Sequence, residues 1–168
     1  MNKDATFPKC YPKGEVLRKA AERYPDINPE AHEIMLRIKQ IAASQEVIFQ
    51  EMLEPHGLSE GRFYVLCHLL SAEMFEHKAP SPSEIAENLG VTRATITGLL
   101  DGLERDGFLE RRHDPEDRRA LTIHMTSKSH GVLDRLIPAQ CCQINAQIAR
   151  LTSGEKQMLT ALLTKLQA

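Results

Sequence analysis

Apolar positions change rhythm twice between Pro80 and Met125. Through Ile85, Ala86 and Leu89, and again through Ile96, Leu99, Leu100 and Leu103, they recur at helical spacing. From Leu121 onward they alternate, with Leu121, Ile123 and Met125 on one face and Thr122, His124 and Thr126 on the other, as in a half-buried strand. The punctuation is equally specific. Ser81, with Pro82 next and Glu84 three residues on, predicts a helix start closed by a capping box. Gly90 suits the left-handed end of that helix, Thr92 suits the N-cap of the next, and Gly107 stops it. Phe108 to His113 reads as a first strand and Ala120 to Thr126 as a second. Asp114-Pro115-Glu116-Asp117-Arg118-Arg119 forms a turn-rich loop between them. The pattern is a helix-turn-helix followed by a hairpin wing.

The flanks are helical. Residues 1–27 form an extension in which Val16, Leu17, Ala20, Ala21 and Tyr24 suggest a short amphipathic helix ended by Pro25. Asn28 and Pro29 open a helix that runs to about Leu53, and Pro55 and Gly57 end it. Its apolar positions, Ile34, Ile38, Ile41, Ile48 and Met52 among them, are too widely spread for a surface helix, so more than one face is expected to be covered. Ser59 caps a helix carrying Phe63, Leu66, Leu69 and Leu70. After the wing, Thr126 or Ser127 starts a long helix reaching about Arg150, with Pro138 expected to kink it. Thr152 and Glu155 form a second capping box before a last helix lined by Met158, Leu159, Leu162, Leu163 and Leu166.

These terminal helices carry more apolar surface than one small winged helix can cover. An intertwined homodimer explains that economically, against the rival of a larger monomeric core. The expected fold class is therefore mainly α with a small β wing: a winged helix-turn-helix flanked by N- and C-terminal dimerisation helices. One domain spans 1–168, with residues 28–57 and 127–168 for dimerisation and 58–126 for DNA binding.

With Ile96 taken as inward and about 100° per residue, Ala94, Gly98, Asp101 and Arg105 point outward from the second helix of the pair. Thr95 and Thr97 flank them, and Arg93 stands near its start. Ala94 and Gly98 are small enough to let that helix sit deep in a major groove, and threonine can address base edges or a thymine methyl. Asp101 repels phosphate unless it accepts from a cytosine amino group or pairs with Arg105. Thr92 and Ser83, near the two helix starts, join the candidate contacts. Arg111 and Arg112 on the first strand are expected to reach phosphates, and arginines at a wing tip suit a narrow minor groove. The plainer alternatives are a helical hairpin that merely packs and a solvated hairpin with offsetting charges.

Composition narrows the picture. A chain of 168 residues is long enough for one domain with a real core. Aromatic content is 5% with no tryptophan, which argues against a β-sandwich. Net charge is −2, and residues 84–126 hold more acids than bases, so the chain is not a non-specific nucleic-acid coater. Binding must depend on where each arginine sits. No apolar run reaches membrane-spanning length and no signal peptide opens the chain, so a cytoplasmic protein without membrane contact is expected. Cys10, Cys67, Cys141 and Cys142 are expected to be reduced. The seven histidines, including His56, His68 and His77, are scattered without metal-ligand spacing. No cofactor, metal site or catalytic residue is expected, since the chain has no nucleophile elbow, phosphate loop or paired-carboxylate signature.

Residues 84–126 resemble the winged helix of the MarR family of bacterial transcription regulators. The likeness is carried by Leu89-Gly90-Val91-Thr92, by Leu100-Asp101-Gly102-Leu103-Glu104-Arg105-Asp106-Gly107, and by Asp114-Pro115-Glu116-Asp117-Arg118-Arg119 with Leu121 and Thr126. The helix layout extends it to roughly 28–167. The N-terminal extension and Ile137-Pro138-Ala139-Gln140 look most like the EmrR/MprA branch. The resemblance implies that Asp117 braces the wing and Arg119 enters the minor groove, with Arg118 beside it. It also marks a departure: Gly98 stands where several relatives carry a base-reading arginine, so the threonines, Arg93 and the wing would carry more of the recognition. By the same resemblance, two winged helices read a palindromic double-stranded operator. A small aromatic or lipophilic effector then binds near Met35, Lys39, Phe63 and Cys67, with Lys39 as the cation for an anionic ligand, and releases a repressor. Alternatives are a winged-helix regulator sensing oxidation (Cys10 being the suspect) or metal, and a module that binds only protein.

Overall fold

The computed structural model describes residues 14–75, 80–113 and 121–167, and the chain divides into two units, Met1–Met52 and Leu53–Ala168. In the first, α1 (Gly14–Arg23) carries the expected amphipathic pattern with Leu17 buried. Asn28 starts α2 (Pro29–Leu53), its Oδ1 accepting from the Ala31 amide at 3.1 Å with Pro29 in the first helical position. The expectation that α2 is covered on more than one face is not met within a single chain. Ile34, Met35, Ile41 and Val47 are all exposed, Ile41 by 64%.

The second unit opens with a 3-10 turn over Glu54–His56, ended by Gly57 in the left-handed region at φ 66°. Then follow α3 (Glu60–Met74), α4 (Pro82–Leu89), α5 (Arg93–Arg105), β1 (Leu109–His113), β2 (Leu121–Met125), α6 (Ser127–Ile148) and α7 (Ser153–Gln167). The strands pair antiparallel, Leu109 opposite Met125 and Arg111 opposite Ile123. The first strand begins one residue later than expected, at Leu109, and the second ends one residue earlier, at Met125; Ala120 lies outside the described residues.

Local chemistry sets the boundaries. The Ser81–Glu84 capping box is present, with Ser81 Oγ accepting from the Glu84 amide and Glu84 accepting from the Ser81 amide. At Gly90, φ 64°, the Gly90 amide donates to the Glu87 carbonyl and the Val91 amide to the Ala86 carbonyl, the paired bonds that close a helix C-terminus. Thr152 and Glu155 form the second capping box. Thr126 stands at the N-cap of α6, but its hydroxyl donates to the carbonyls of Gly107 and Phe108 instead of capping the helix.

The core gathers Phe63, Val65, Leu66 and Leu69 of α3, Ile85 of α4, Ile96, Leu100 and Leu103 of α5, Phe108, and Val132, Leu133 and Leu136 of α6, all buried. Each such side chain contributes about 1.5–3 kcal/mol of transfer free energy. The burial stops partway along α6, which continues through Pro138 to Ile148, and beyond the proline Ile144 and Ile148 are exposed. No residue of α7 is buried, and Met158, Leu159, Leu162, Leu163 and Leu166 all face outward.

Candidate nucleic-acid interface

Burial of one stripe of α5 fixes what the other stripe presents. Ile96, Leu100 and Leu103 lie at 3% exposure or less, so Arg93, Ala94, Thr95, Thr97, Gly98, Asp101 and Arg105 are held at the surface. A methyl group added at Gly98 would meet nothing within 4 Å, so the face there is open. The two threonine hydroxyls are engaged within the helix. Thr97 Oγ1 donates to the Arg93 carbonyl at 3.0 Å, and Thr95 Oγ1 shares a 2.8 Å hydrogen bond with Thr92 Oγ1. Thr92 Oγ1 also caps the helix by accepting from the Thr95 amide at 3.1 Å. Ser83, in the first turn of α4, is partly buried.

The arginines are paired more closely than their sequence positions suggested. Asp101 takes Arg111 of β1 as its partner, not Arg105: Nη2 lies 2.5 Å from Oδ1, and Arg111 Nη1 lies 3.0 Å from Glu104 Oε2. These contacts raise the Arg111 guanidinium above its already high ordinary value, the hydrogen bond to Asp101 being the largest cause. Spacing of four along the helix favours Asp101–Arg105, but the strand delivers a guanidinium to the same carboxylate. Arg105 lies 3.5 Å from Asp106, and Arg112 pairs with Glu110 on its own strand. Asp117, Arg118 and Arg119 lie outside the described residues, as do Cys10 and His77.

The joint below the wing was not foreseen. Gly107, at φ 75°, ends α5, its amide donating to the Glu104 carbonyl and the Phe108 amide to the Leu103 carbonyl. The Phe108 carbonyl then accepts from the Thr126 amide and hydroxyl and from the buried Ser129 hydroxyl. Lys128 Nζ donates to the Asp106 carbonyl at 2.7 Å and stands 4.2 Å from the centre of the Phe108 ring. From α3, Arg62 Nη1 reaches Asp106 Oδ2 at 2.7 Å and the Gly57 carbonyl at 3.3 Å. That hydrogen bond, the largest cause, holds the Asp106 carboxyl below its ordinary value. The available signal was Gly102, a glycine inside an amphipathic helix, which marks a close approach.

Of the candidate effector residues, Phe63 is buried and Cys67 half-buried on α3, while Met35 and Lys39 of α2 are exposed. Burial pushes the Cys67 thiol up to about 11. Cys141 and Cys142 are exposed free thiols. Among the described residues no histidine, cysteine and carboxylate cluster is arranged to hold a metal ion, and no helix is long and apolar enough to cross a membrane.

Two capped helices meeting at a glycine turn, the second open on its outer face and joined to a two-stranded hairpin, define a winged helix-turn-helix. The MarR family model matches residues 63–121. Over 155 residues the chain is 36% identical to the HTH-type transcriptional repressor YetL of Bacillus subtilis, spanning 92% of this chain and 91% of that one. It is 33% identical over 116 residues to the transcriptional repressor MprA of Escherichia coli, spanning 69% of this chain and 64% of the relative. The chain belongs to the MarR family, whose members are transcription regulators and not enzymes. Two solved structures show the same fold. They are a Staphylococcus aureus MepR–DNA complex (TM-score 0.64, 20% identity, 77% of this chain and 90% of that one) and wild-type MarR from Escherichia coli (TM-score 0.59, 24% identity, 77% and 93%).

Proposed function

We propose that this chain is a cytoplasmic homodimeric repressor that reads a palindromic double-stranded operator and leaves it when a small aromatic or lipophilic effector binds. The observation that carries the DNA-binding part is the outer face of α5. Ala94 and Gly98 present no bulk and Thr95, Thr97 and Arg93 stand exposed beside them, while the opposite stripe is anchored in the core. Such a helix can enter a major groove, with the wing arginines Arg118 and Arg119 addressing the minor groove beside it. Support comes from the repressors YetL and MprA, to which the chain is similar, and from the likeness of its fold to that of Staphylococcus aureus MepR in complex with DNA.

The dimer reading is supported by apolar surface left exposed in one chain: Ile34, Ile41 and Val47 on α2, Ile144 and Ile148 at the end of α6, and the apolar side of α7. A second copy would cover it, and two winged helices would then face half-sites about one helical turn apart. The effector reading draws on Met35, Lys39, Phe63 and Cys67, with Lys39 as the cation for an anionic ligand. A band-shift titration on the DNA upstream of the protein's own gene, against a scrambled duplex, tests the reading. Specific retardation is expected, and it should weaken with millimolar salicylate-like phenols. Equal affinity for both duplexes overturns the operator reading. Phenols that change neither DNA affinity nor melting temperature overturn the effector class.

A further inference from the structure

Arg62 belongs to α3, yet its side chain is tied to α5, the helix whose outer face is proposed above to enter the groove. It stands in the first turn of α3, where the Ser59 hydroxyl accepts from its amide. Its side chain is only 18% exposed. One nitrogen, Nη1, serves both the Gly57 carbonyl and the Asp106 carboxylate at the end of α5. The guanidinium lies against Gly102, where an added methyl group would collide with it. Glycine is disfavoured in a helix interior relative to alanine, and here, buried in α5, it leaves the notch through which the arginine reaches Asp106.

Elsewhere α3 and α5 meet through apolar contact, as where the Leu99 side chain lies against Gly61. Burial of Leu66, Leu100 and Leu103 resists separation of the helices, but it is non-directional and tolerates rotation or sliding. A guanidinium whose Nη1 is shared between the Asp106 carboxylate and the Gly57 carbonyl is directional and resists such motion. The tie acts on the turn next to Gly98 and Asp101, so a small roll there would displace Ala94 and Gly98 from the groove.

We propose that Arg62 is a positioning residue for DNA recognition: seated in the notch at Gly102, it fixes the rotation of α5 against α3 without touching DNA. The inference rests on the reading of α5 as the groove-entering helix. It also gives α3, which carries Phe63 and Cys67, a direct hold on that helix.

The test uses the full chain and three variants, Arg62→Gln, Arg62→Lys and Gly102→Ala, titrated at several salt concentrations against the upstream duplex and a scrambled one. Arg62→Gln and Gly102→Ala should each bind the upstream duplex about tenfold more weakly, the scale of coupling lost between contacting residues. Affinity for the scrambled duplex and the salt slope should stay unchanged, and Arg62→Lys should fall between. Gly102→Ala keeps Arg62 but displaces it from the notch, and the gain in helix propensity offsets part of the lost tie: its melting temperature should fall less than that of Arg62→Gln while its binding falls as far. Wild-type binding by Gly102→Ala would overturn the proposal. So would a salt slope reduced by about one counterion in Arg62→Gln, which would make Arg62 a phosphate contact. If the wild type fails to distinguish the two duplexes, the operator reading fails by itself. Amide hydrogen exchange then decides the tie. Exchange about tenfold faster in the last turn of α5 in both Arg62→Gln and Gly102→Ala, with α7 unaffected, supports it, and unchanged exchange overturns it.

Discussion

Arg111 of β1 and Asp101 of α5 form a 2.5 Å ion pair, and Glu104 completes a triad around the same guanidinium at 3.0 Å. The first strand of the wing is thereby fastened to α5, the helix whose outer face is proposed to read DNA. The triad carries one more negative charge than positive, on the side where phosphates would approach. Asp101→Asn removes that excess and loosens Arg111. Affinity for any duplex should rise, the ratio between upstream and scrambled DNA should fall, and the salt dependence should steepen by about one phosphate contact. Titrations of both duplexes at several salt concentrations check this, and a salt slope identical to wild type would mean that Arg111 stays bound to Glu104.

Thr97 donates its hydroxyl to the Arg93 carbonyl, so reading a base with that hydroxyl requires breaking a 3.0 Å hydrogen bond. The methyl carries no such commitment and can pack on a thymine methyl. Thr97→Val keeps the methyl and should bind within about twofold of wild type, whereas Thr97→Ala should lose preference at particular base pairs on the scale of about 1 kcal/mol. Neither change should move the salt slope. A valine variant as weak as the alanine variant would place recognition on the hydroxyl.

How much of this was legible in the sequence depended on range. The Ser81–Glu84 and Thr152–Glu155 capping boxes, the Thr92 cap and the glycine ends at Gly90 and Gly107 are decided by residues within one helical turn of each other, and the chain spells them out. The inward stripe of α5 follows from helical spacing alone. The partner of Asp101 does not, because β1 brings Arg111 to it across a hairpin whose geometry no local pattern encodes. Arg62 was missed for the same reason, lying 44 residues from Asp106. The exposure of α2 and α7 in one chain leaves their apolar faces for another molecule, since a sequence shows that an apolar face needs covering but not which molecule covers it.

The exposed apolar face of α7 predicts a mass of about twice 18.9 kDa by light scattering at micromolar concentration. An isolated helix of 15 residues is marginal in water, so α7 should depend on a partner. Leu162→Asp should shift the mass toward one chain, remove the concentration dependence of the melting temperature and lower helical ellipticity. A wild-type protein with the mass of one chain would sink the dimer reading outright.

Cys67 is half-buried, with its thiol raised to about 11, while Cys141 and Cys142 are exposed. The thiolate is the reacting species. At neutral pH an alkylating reagent should therefore label Cys142 well before Cys67, with Cys141, which shares the helical face of Ile144 and Ile148, slowed by the dimer, read by mass spectrometry of peptides over time. Occupation of the region around Phe63 and Cys67 by a phenolic effector should slow Cys67 further. Equal labelling of Cys67 and Cys142 would show that the α3 site is open to water.

The wing tip offers the cleanest division of labour. Arg119 belongs to the Asp-x-Arg sequence with Asp117, and an arginine entering a minor groove both contacts the floor and neutralises phosphate potential. Arg119→Ala should lower affinity for the upstream duplex by about 1–3 kcal/mol and flatten the salt dependence by about one counterion. Asp117→Ala should weaken binding less, by loosening the loop and not by removing a contact. Dimer mass should be the same in both variants, because the wing arginines lie apart in sequence from the apolar positions of α2 and α7. Thr97→Ala alters base preference at constant salt slope, whereas Arg119→Ala alters the slope. The two variants together should therefore lose affinity additively, as expected for sites that share no partner. An Arg119→Ala protein that matches wild type at every salt concentration would assign recognition to α5 alone, with the acid-rich triad at Asp101 setting its salt response.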